Sequence, residues 1–525
     1  MKKLMSLLLA LTLLCASAAF ADAGIVTESG FPVVTQPITL TVMASQSAVQ
    51  PDFNSMVIIP IYDEMTGIKI DWQCVASSVR SEKISTAISS GEMPDIFFKC
   101  NISAANLQKY GKDGDIVDLA PYLEEYAPNF WAYAQENPDV LAAITTPDGK
   151  IYSLPAVADA PATRMNKKLY YNKVWMDKLG LEQPSTIDEL YDFLYAMRYD
   201  DPNGNGVMDE VPMSETTSTL FQIFGGLFGV GNRGTHSTEY DMDPETGLVR
   251  HSKTSDAFRE CLVFMHKLYE EGLIDKECIT ANDSHYTALA SQDQLGCYFA
   301  TNLALLSADD AENFVAVDGW IDGAVWPTMR SHLHSVGAFV VTSKCENVEA
   351  ALRWVDYFYS DEGVVFYHYG IEGETYVKND DGSLSFTPEI MAQVSGDKSY
   401  DEVVSQVGPY CGGNNPTMMS WPGYAGAELT PIPIASAEAI LPNVPDVIWP
   451  IFTYTDEELN IVNTVGSDIN AYVKQTCAEF LTGERELNDE EWDAYVAQVK
   501  AMGLDQMLEV MESVIDRVEA ITGVR

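Results

Sequence analysis

Residues 89–98 read Ser-Ser-Gly-Glu-Met-Pro-Asp-Ile-Phe-Phe, and the class of fold turns on them. Gly91 closes a helical pattern running from Glu82 to Ser90, because glycine takes the left-handed backbone that ends a helix. Pro94 and Asp95 turn the chain. Ile96-Phe97-Phe98 then has the apolar character of a buried strand. Upstream, Ile38 to Met43 alternates as a strand, 52–65 has helical spacing, and Ile68 to Trp72 is a second strand. Residues 22–36 ahead of them read as a loose leader. The order strand, helix, strand, helix, strand predicts an α/β lobe with a largely parallel sheet.

The chain has 525 residues, more than one hydrophobic core holds, since cores stop growing at about 250–300 residues. Two lobes are therefore expected. Downstream, Asp148-Gly149 turns a hairpin into Ile151–Pro155. Thr186 can cap a helix in a reciprocal box with Glu189, and the apolar face of that helix carries Ile187, Leu190, Tyr191, Leu194 and Tyr195. Helices are predicted over 220–228, 254–271 and 347–359, and strands over 295–299 and 337–342. Capped helices begin at Thr455, Asn488 and Asp505. With no repeat and no low-complexity linker, the chain must cross between its lobes more than once.

The net charge is -46, from 77 acidic against 31 basic residues. Such a chain repels nucleic acid and anionic membrane surfaces, and it lacks a dense Lys/Arg run. Lys2 and Lys3 precede an apolar run, Leu4 to Leu14, and Ala19-Phe20-Ala21 is a small-x-small cleavage signal. Residues 1–21 thus read as a signal peptide, with the mature chain beginning at Asp22 and exported to the periplasm or the exterior. Cys15 follows Leu14, a poor context for lipidation, so surface attachment is the alternative to free export. The other eight cysteines form no CxxC pair. Disulfides and free buried thiols both remain open.

Asp201 to Glu210 reads DPNGNGVMDE. Asp201, Asn203, Asn205, Asp209 and Glu210 carry oxygen-bearing side chains, Gly206 supplies a sharp turn, and Val207 would turn its carbonyl inward. Calcium wants six to eight oxygens at about 2.3–2.6 Å, and such a loop can supply them. Pro212 occupies the place where an EF-hand has its bidentate Glu, so Glu210 would close the cage. The competing reading is an Asx/Gly surface turn. No nucleophile or base stands beside the loop, so an ion there would be structural.

Several phrases, in this order, resemble the extracellular solute-binding proteins of ABC sugar importers, family 1. They are Ser89–Ile96; Asp148-Gly149-Lys150-Ile151-Tyr152-Ser153-Leu154-Pro155; Tyr171 to Leu181 with Pro184 and Thr186–Leu190; Trp354 to Gly363; Tyr369–Gly373; and Phe480-Leu481-Thr482-Gly483 with Met502-Gly503-Leu504. The resemblance spans nearly the whole mature chain. It implies an α/β, two-lobed periplasmic-binding-protein-like (type II) fold with an interlobe ligand cleft and multiple crossover strands. Lobe 1 would be 30–155 with 330–400, and lobe 2 would be 156–329 with 401–525. Relatives that bind alginate and oligosaccharides carry a calcium loop where this chain has 201–210. The implied ligands are Asp201, Asn203, Asn205, Asp209, Glu210 and the Val207 carbonyl.

Sugar recognition needs flat aromatic faces and polar groups matched to hydroxyls, and clefts between lobes are natural sites. Candidate platforms in irregular or crossing regions are Trp320, Trp326, Tyr376, Trp421 and Tyr424; candidate polar groups are Gln46, Asp95, Asn101 and Arg330. Trp421 leads, because Pro422, Gly423 and the Gly412-Gly413 pair place it in a loop. Trp354 and Trp492 lie on apolar helix faces and belong to the core. Gly229 to Gly234 matches GxGxxG literally, but it follows an apolar helical run rather than a strand, against a dinucleotide site. His332 and His334 could share a strand face, yet no carboxylate or Cys at ligand spacing supports a metal there. The leading expectation is a monomeric, non-enzymatic receptor that delivers an oligosaccharide to an ABC permease, with structural calcium. The rivals are an exported glycoside hydrolase and a ligand-sensing partner of a membrane receptor.

Overall fold

A computed structural model describes residues 25–394, 399–411 and 413–525. The stretch predicted as a signal peptide, residues 1–21, with Cys15 in it, and Gly412 lie outside the described residues. The chain opens with β1 (Ile38–Gln46), β2 (Ile68–Ala76), β3 (Ile96–Ile102) and β4 (Leu154–Ala158). It then passes to β5 (Lys168–Asn172), β6 (Val211–Ser214) and a hairpin of β7 (Tyr240–Met242) and β8 (Val249–His251). After β9 (Leu295–Ala300) and β10 (Phe314–Ala316) it returns through β11 (Leu333–Val341), a hairpin of β12 (Tyr376–Lys378) and β13 (Leu384–Phe386), and β14 (Met418–Met419).

Two sheets organise two cores. The first has the order β14-β4-β11-β3-β1-β2, and the second β10-β5-β9-β6. β1 runs parallel to β2 and β3, as the opening alternation predicts. β11 is antiparallel to both β3 and β4, so the first sheet is mixed. The helix Arg80–Ser90 presents Ile84 and Ala87 to that sheet and ends at Gly91, φ 71°. In the first core Trp354 packs against Phe98, Phe339 and Trp72. The second core is mostly helical. Ile187–Tyr199, Thr217–Leu227, Asp256–Glu270, Ser467–Thr482, Asp489–Ala501 and Leu504–Thr522 surround its sheet, and Trp492 is buried there.

The crossings lie side by side. Segments 158–168 and 329–333 are joined by a Met165–Met329 bridge, and Arg330 N donates to the Arg164 carbonyl. The third crossing follows β14, where Asp159 N and Ala160 N donate to the Met419 carbonyl.

Four sequence readings need correction. Val404, Val407, Cys411 and Met418 pack in the first core, so the chain leaves that lobe beyond residue 418 rather than at 400. The stretch 22–36 is not wholly loose, since Val33 and Val34 are buried and Val33 N donates to the Thr66 carbonyl. The helix expected over 52–65 begins only at Ile58, after a short 3-10 turn at Phe53–Ser55. Thr186 does cap Glu189 N, but the Glu189 carboxylate accepts from Ser185, one residue earlier than a reciprocal box requires. All eight described cysteines are free thiols.

Candidate functional site

The cleft lies where the crossings bring the two sheets together. Three adjoining cavities of about 320, 440 and 770 Å³ open there. The first is lined by His334, Asp401, Tyr410 and Asn414 on the first-core side and by Asn166, Thr301 and Glu428 on the other. Thr301, Asp401, Tyr410 and Glu428 also line the largest cavity, and Tyr424 joins the first to the second. Residues from both lobes therefore face one continuous groove, as capture by closure requires.

Arg330 stands at the crossing. Its Nη1 donates to Nδ1 of His334 (2.6 Å) and its Nη2 to Oδ1 of Asn166 (2.7 Å). Burial, then the Arg330 charge, pushes the His334 imidazole down to about 4, so it is neutral and can accept that bond. Behind it, Arg164 meets His332 Nε2 at 2.8 Å, and His332 Nδ1 meets Asp139 at 3.0 Å. His332 is thus tied into a hydrogen-bonded chain rather than a metal site.

Tyr410 and Tyr424 supply aromatic surface, with ring centroids 5.6 Å apart at 80°. His368 packs edge-on against both. Burial raises both phenols well above their ordinary range, so each keeps its proton. The loop carrying Tyr410 is held from below by Lys99, whose Nζ donates to the carbonyls of Pro409 and Cys411. Lys99 is buried inside β3 with φ 58°, a left-handed backbone that a non-glycine residue rarely adopts. Strain of that kind persists only where the surroundings hold it.

The expected ligand residues divide. Arg330, Trp421 and Tyr424 line the groove, and Trp421 is 53% exposed. Gln46, at the cleft end of β1, donates to the Gln50 and Pro51 carbonyls and so shapes the turn that brings Val49 to the largest cavity. Asp95 sits at the far end of β3, its carboxylate accepting from Thr41 N and Oγ1; it is a strand-to-strand tie, not a cleft group. Asn101, φ 46°, is exposed on β3 and lines none of these cavities.

Trp320 and Trp326 are buried against each other, centroids 4.8 Å apart, and Trp326 Nε1 donates to the Lys167 carbonyl. Tyr376 is buried beside Tyr369. These three aromatics are core, because the crossing regions that look irregular in sequence are covered in the fold. Tyr410, Asn166, Thr301 and Glu428 are cleft residues the sequence reading missed. For Tyr410 a signal existed: Gly413, Asn414 and Asn415 follow it, and Asn414 is left-handed at φ 53°.

The Asp201–Glu210 loop forms part of the second lobe. Asp201 is left-handed at φ 48°, and Gly204 and Gly206 have φ 75°. Asx turns organise it: Asn203 Oδ1 accepts from Asn205 N, Asn205 Oδ1 from Val207 N, and Asp201 from Gly206 N. Asp209 accepts from Asn205, Gln294 and Asn203, and these bonds hold its carboxyl below the usual range. Glu210 is different. It is fully buried, and neither carboxylate oxygen has a hydrogen-bond partner among the described residues. A buried unpaired carboxylate is costly, and a cation is the partner that would relieve it. No cluster of three His, Cys, Asp or Glu side chains fit to hold a metal is found among the described residues. Any ion here would therefore rely on amide and backbone oxygens beside the carboxylates, as calcium does. The donor set fits.

Comparison with known proteins agrees with this architecture. The fructooligosaccharide ABC transporter substrate-binding protein FusA of Streptococcus pneumoniae is 27% identical over 508 residues, 92% of this chain and 91% of that one. A solved structure of a FusA EF-hand mutant in complex with fructo-nystose matches with TM-score 0.69 and 25% identity, covering 92% of this chain and 100% of that one. An HMO binding ABC-transporter associated solute binding protein from Bifidobacterium longum infantis matches with TM-score 0.76 over 92% of this chain and 99% of that one; at 21% identity it shows the fold alone. The sequence model of one family matches residues 45–365, more than half of the chain. With its two sheets joined by three crossings over a shared groove, the chain belongs to the bacterial extracellular solute-binding protein family.

Proposed function

We propose that the protein is the extracellular receptor of an ABC importer, that it holds an oligosaccharide in the interlobe groove, and that it releases the sugar unaltered to a permease. The observation that carries this reading is the groove itself, faced by both lobes of a solute-binding chain and furnished with Tyr410, Tyr424 and Trp421 beside Asn166, Thr301 and Asn414. Aromatic faces cover the C–H-rich faces of sugar rings, and amides and hydroxyls match sugar hydroxyls. The likeness to FusA supports a sugar as the solute. Closure follows from differential contact: a ligand that touches both lobes binds the closed form better and shifts the population toward it.

Asp401 and Glu428 line the same cavity, and paired carboxylates are also what a glycoside hydrolase uses. One experiment separates the two readings. Purified protein is titrated calorimetrically with fructo-, galacto- and manno-oligosaccharides, and each mixture is then assayed for reducing ends. Binding without release supports the receptor; released reducing ends defeat it.

For the oxygen-rich loop, the reading is structural calcium held by Asp201, Asn203, Asn205, Asp209, Glu210 and the Val207 carbonyl. The ion would supply the positive charge that the buried Glu210 carboxylate lacks. An EF-hand exists in FusA, where a mutant of it has been solved. The loop stands apart from the groove-lining residues, so it serves lobe stability and not ligand chemistry.

A further inference from the structure

Among the described residues the groove carries more negative than positive charge. Asp401 and Glu428 line both the first and the largest cavity, Asp283 lines the largest and Asp381 the second. Among the described residues, two cations, Arg330 and Lys167, stand against these four carboxylates. Lys167 is paired with a carboxylate, whereas Arg330 is bonded only to neutral groups and keeps its charge. The two terminal nitrogens of Arg330 donate to His334 and Asn166, and Lys167 Nζ lies 2.6 Å from the buried Glu215 carboxylate. Tyr286 Oη donates to that same Glu215 (3.2 Å), fixing it in place. Lys168 lies beneath the groove, but it is wholly buried, donating to the carbonyls of Met165 and Thr301. His334 is neutral and accepts from Arg330. The Glu428 carboxylate has no hydrogen-bond or ion-pair partner among the described residues, and it sits half-buried beside Tyr410 and Tyr424.

From this arrangement we infer that the site selects neutral sugars and rejects uronic-acid oligosaccharides, with Glu428 and Asp401 as the specificity-determining residues. The inference rests on the sugar-receptor reading and names the class of sugar. A carboxylate is acceptor-only and can take charge-assisted bonds from two hydroxyls of one neutral ring. The same carboxylate is a poor neighbour for a uronate. A uronate entering the groove loses hydration and meets four carboxylates, against which the described residues set one unpaired cation, Arg330. Rejection by placed like charge is a recurrent route to specificity. The overall charge of -46 acts in the same sense at longer range.

The test uses the full mature protein and calorimetry at low and at physiological salt. Neutral probes are kestose, nystose, galactotriose and mannotriose; anionic probes are trigalacturonate and trimannuronate. The expected result is at least one neutral probe bound about a hundredfold or more tighter than either uronate, with the gap narrowing as salt rises. In Glu428→Gln and Asp401→Asn, each checked for an unchanged melting curve, the neutral-to-uronate ratio should fall by about tenfold or more. Asp401 is exposed, so its variant remains informative if the Glu428 variant fails to fold. Wild-type protein that binds a uronate as tightly as the best neutral probe overturns the inference while leaving the sugar receptor standing. A ratio unchanged in both variants overturns the assigned residues. Binding by none of the six probes overturns the carbohydrate reading itself, and the inference falls with it.

Discussion

Trp421 and Trp326 carry the same side chain in opposite surroundings. Trp421 is 53% exposed over the groove, whereas Trp326 is fully buried with its indole N–H on the Lys167 carbonyl. Truncating a rigid aromatic at a binding surface typically costs about 1–3 kcal/mol of affinity. Trp421→Ala should therefore raise the ligand Kd about tenfold or more and leave Tm nearly unmoved; Trp326→Ala should lower stability by about 3–5 kcal/mol. Calorimetry paired with a melting curve separates the two, and unchanged affinity in Trp421→Ala would remove that residue from the site. Sequence context put Trp421 in a loop, and Pro422 and Gly423 follow it there in a turn at the groove. It misplaced Trp320 and Trp326, since an irregular backbone can still be covered by its own lobe, here the second core. Lys99 was not legible at all: nothing local marks a lysine whose partners, Pro409 and Cys411, lie some three hundred residues on. Lys99→Met would leave two carbonyls unpaired, at about 1–3 kcal/mol each. It should also weaken ligand binding by freeing the Tyr410 loop. A loss of stability with unchanged Kd would restrict Lys99 to the core.

At the scale of elements, the sequence was most readable where its signals are local. The alternation of β1, the Gly91 stop and the Thr186 cap depend on neighbours within four residues, and each has its counterpart in the fold. The third crossing was misplaced because Val404, Val407 and Cys411 carry no periodicity and are claimed for the first core by contact, not by spacing. The Asp201–Glu210 loop shows both limits. Its Asx turns are those of any Asn/Gly loop, and what singles it out, the buried and unpartnered Glu210, is invisible before folding. An ion that binds only the folded loop stabilises by RT ln(1 + [L]/Kd), about 4 kcal/mol at a thousandfold excess over Kd. Chelation should therefore lower Tm by several degrees, added calcium should restore it, and Glu210→Gln should abolish the response to calcium. A melting curve indifferent to both chelator and calcium would reduce the loop to a turn.

Over the whole molecule, the most testable electrostatic feature is not its 77 carboxylates but its buried imidazoles. His251 and His368 are 2% and 1% exposed, and neither ring nitrogen of either has a hydrogen-bond partner among the described residues. Burial pushes His251 down to about 4, against a smaller opposing pull from Glu239; burial, aided by Lys99, takes His368 to about 3. Both are thus neutral in the native state and titrate near 6.5 when unfolded. The unfolded chain then binds more protons between about pH 6.5 and 4, so stability is complete above that window and falls as pH drops through it. Each imidazole contributes at most about 1.4 kcal/mol per pH unit there. The carboxylates act in the opposite sense, because their mutual repulsion relaxes on protonation, but carboxyl groups ordinarily protonate near 4; Asp356, which burial raises to about 6, opposes the imidazoles within the window. Between pH 6.5 and 5 the imidazoles therefore win. Chemical denaturation across that range should show a loss of a few kcal/mol, and His368→Phe, which keeps an aromatic ring against Tyr410 and Tyr424, should flatten the slope by about one proton's worth. Stability that rises on acidification over this interval would show that charge repulsion, not buried imidazole, governs the fold's response to pH.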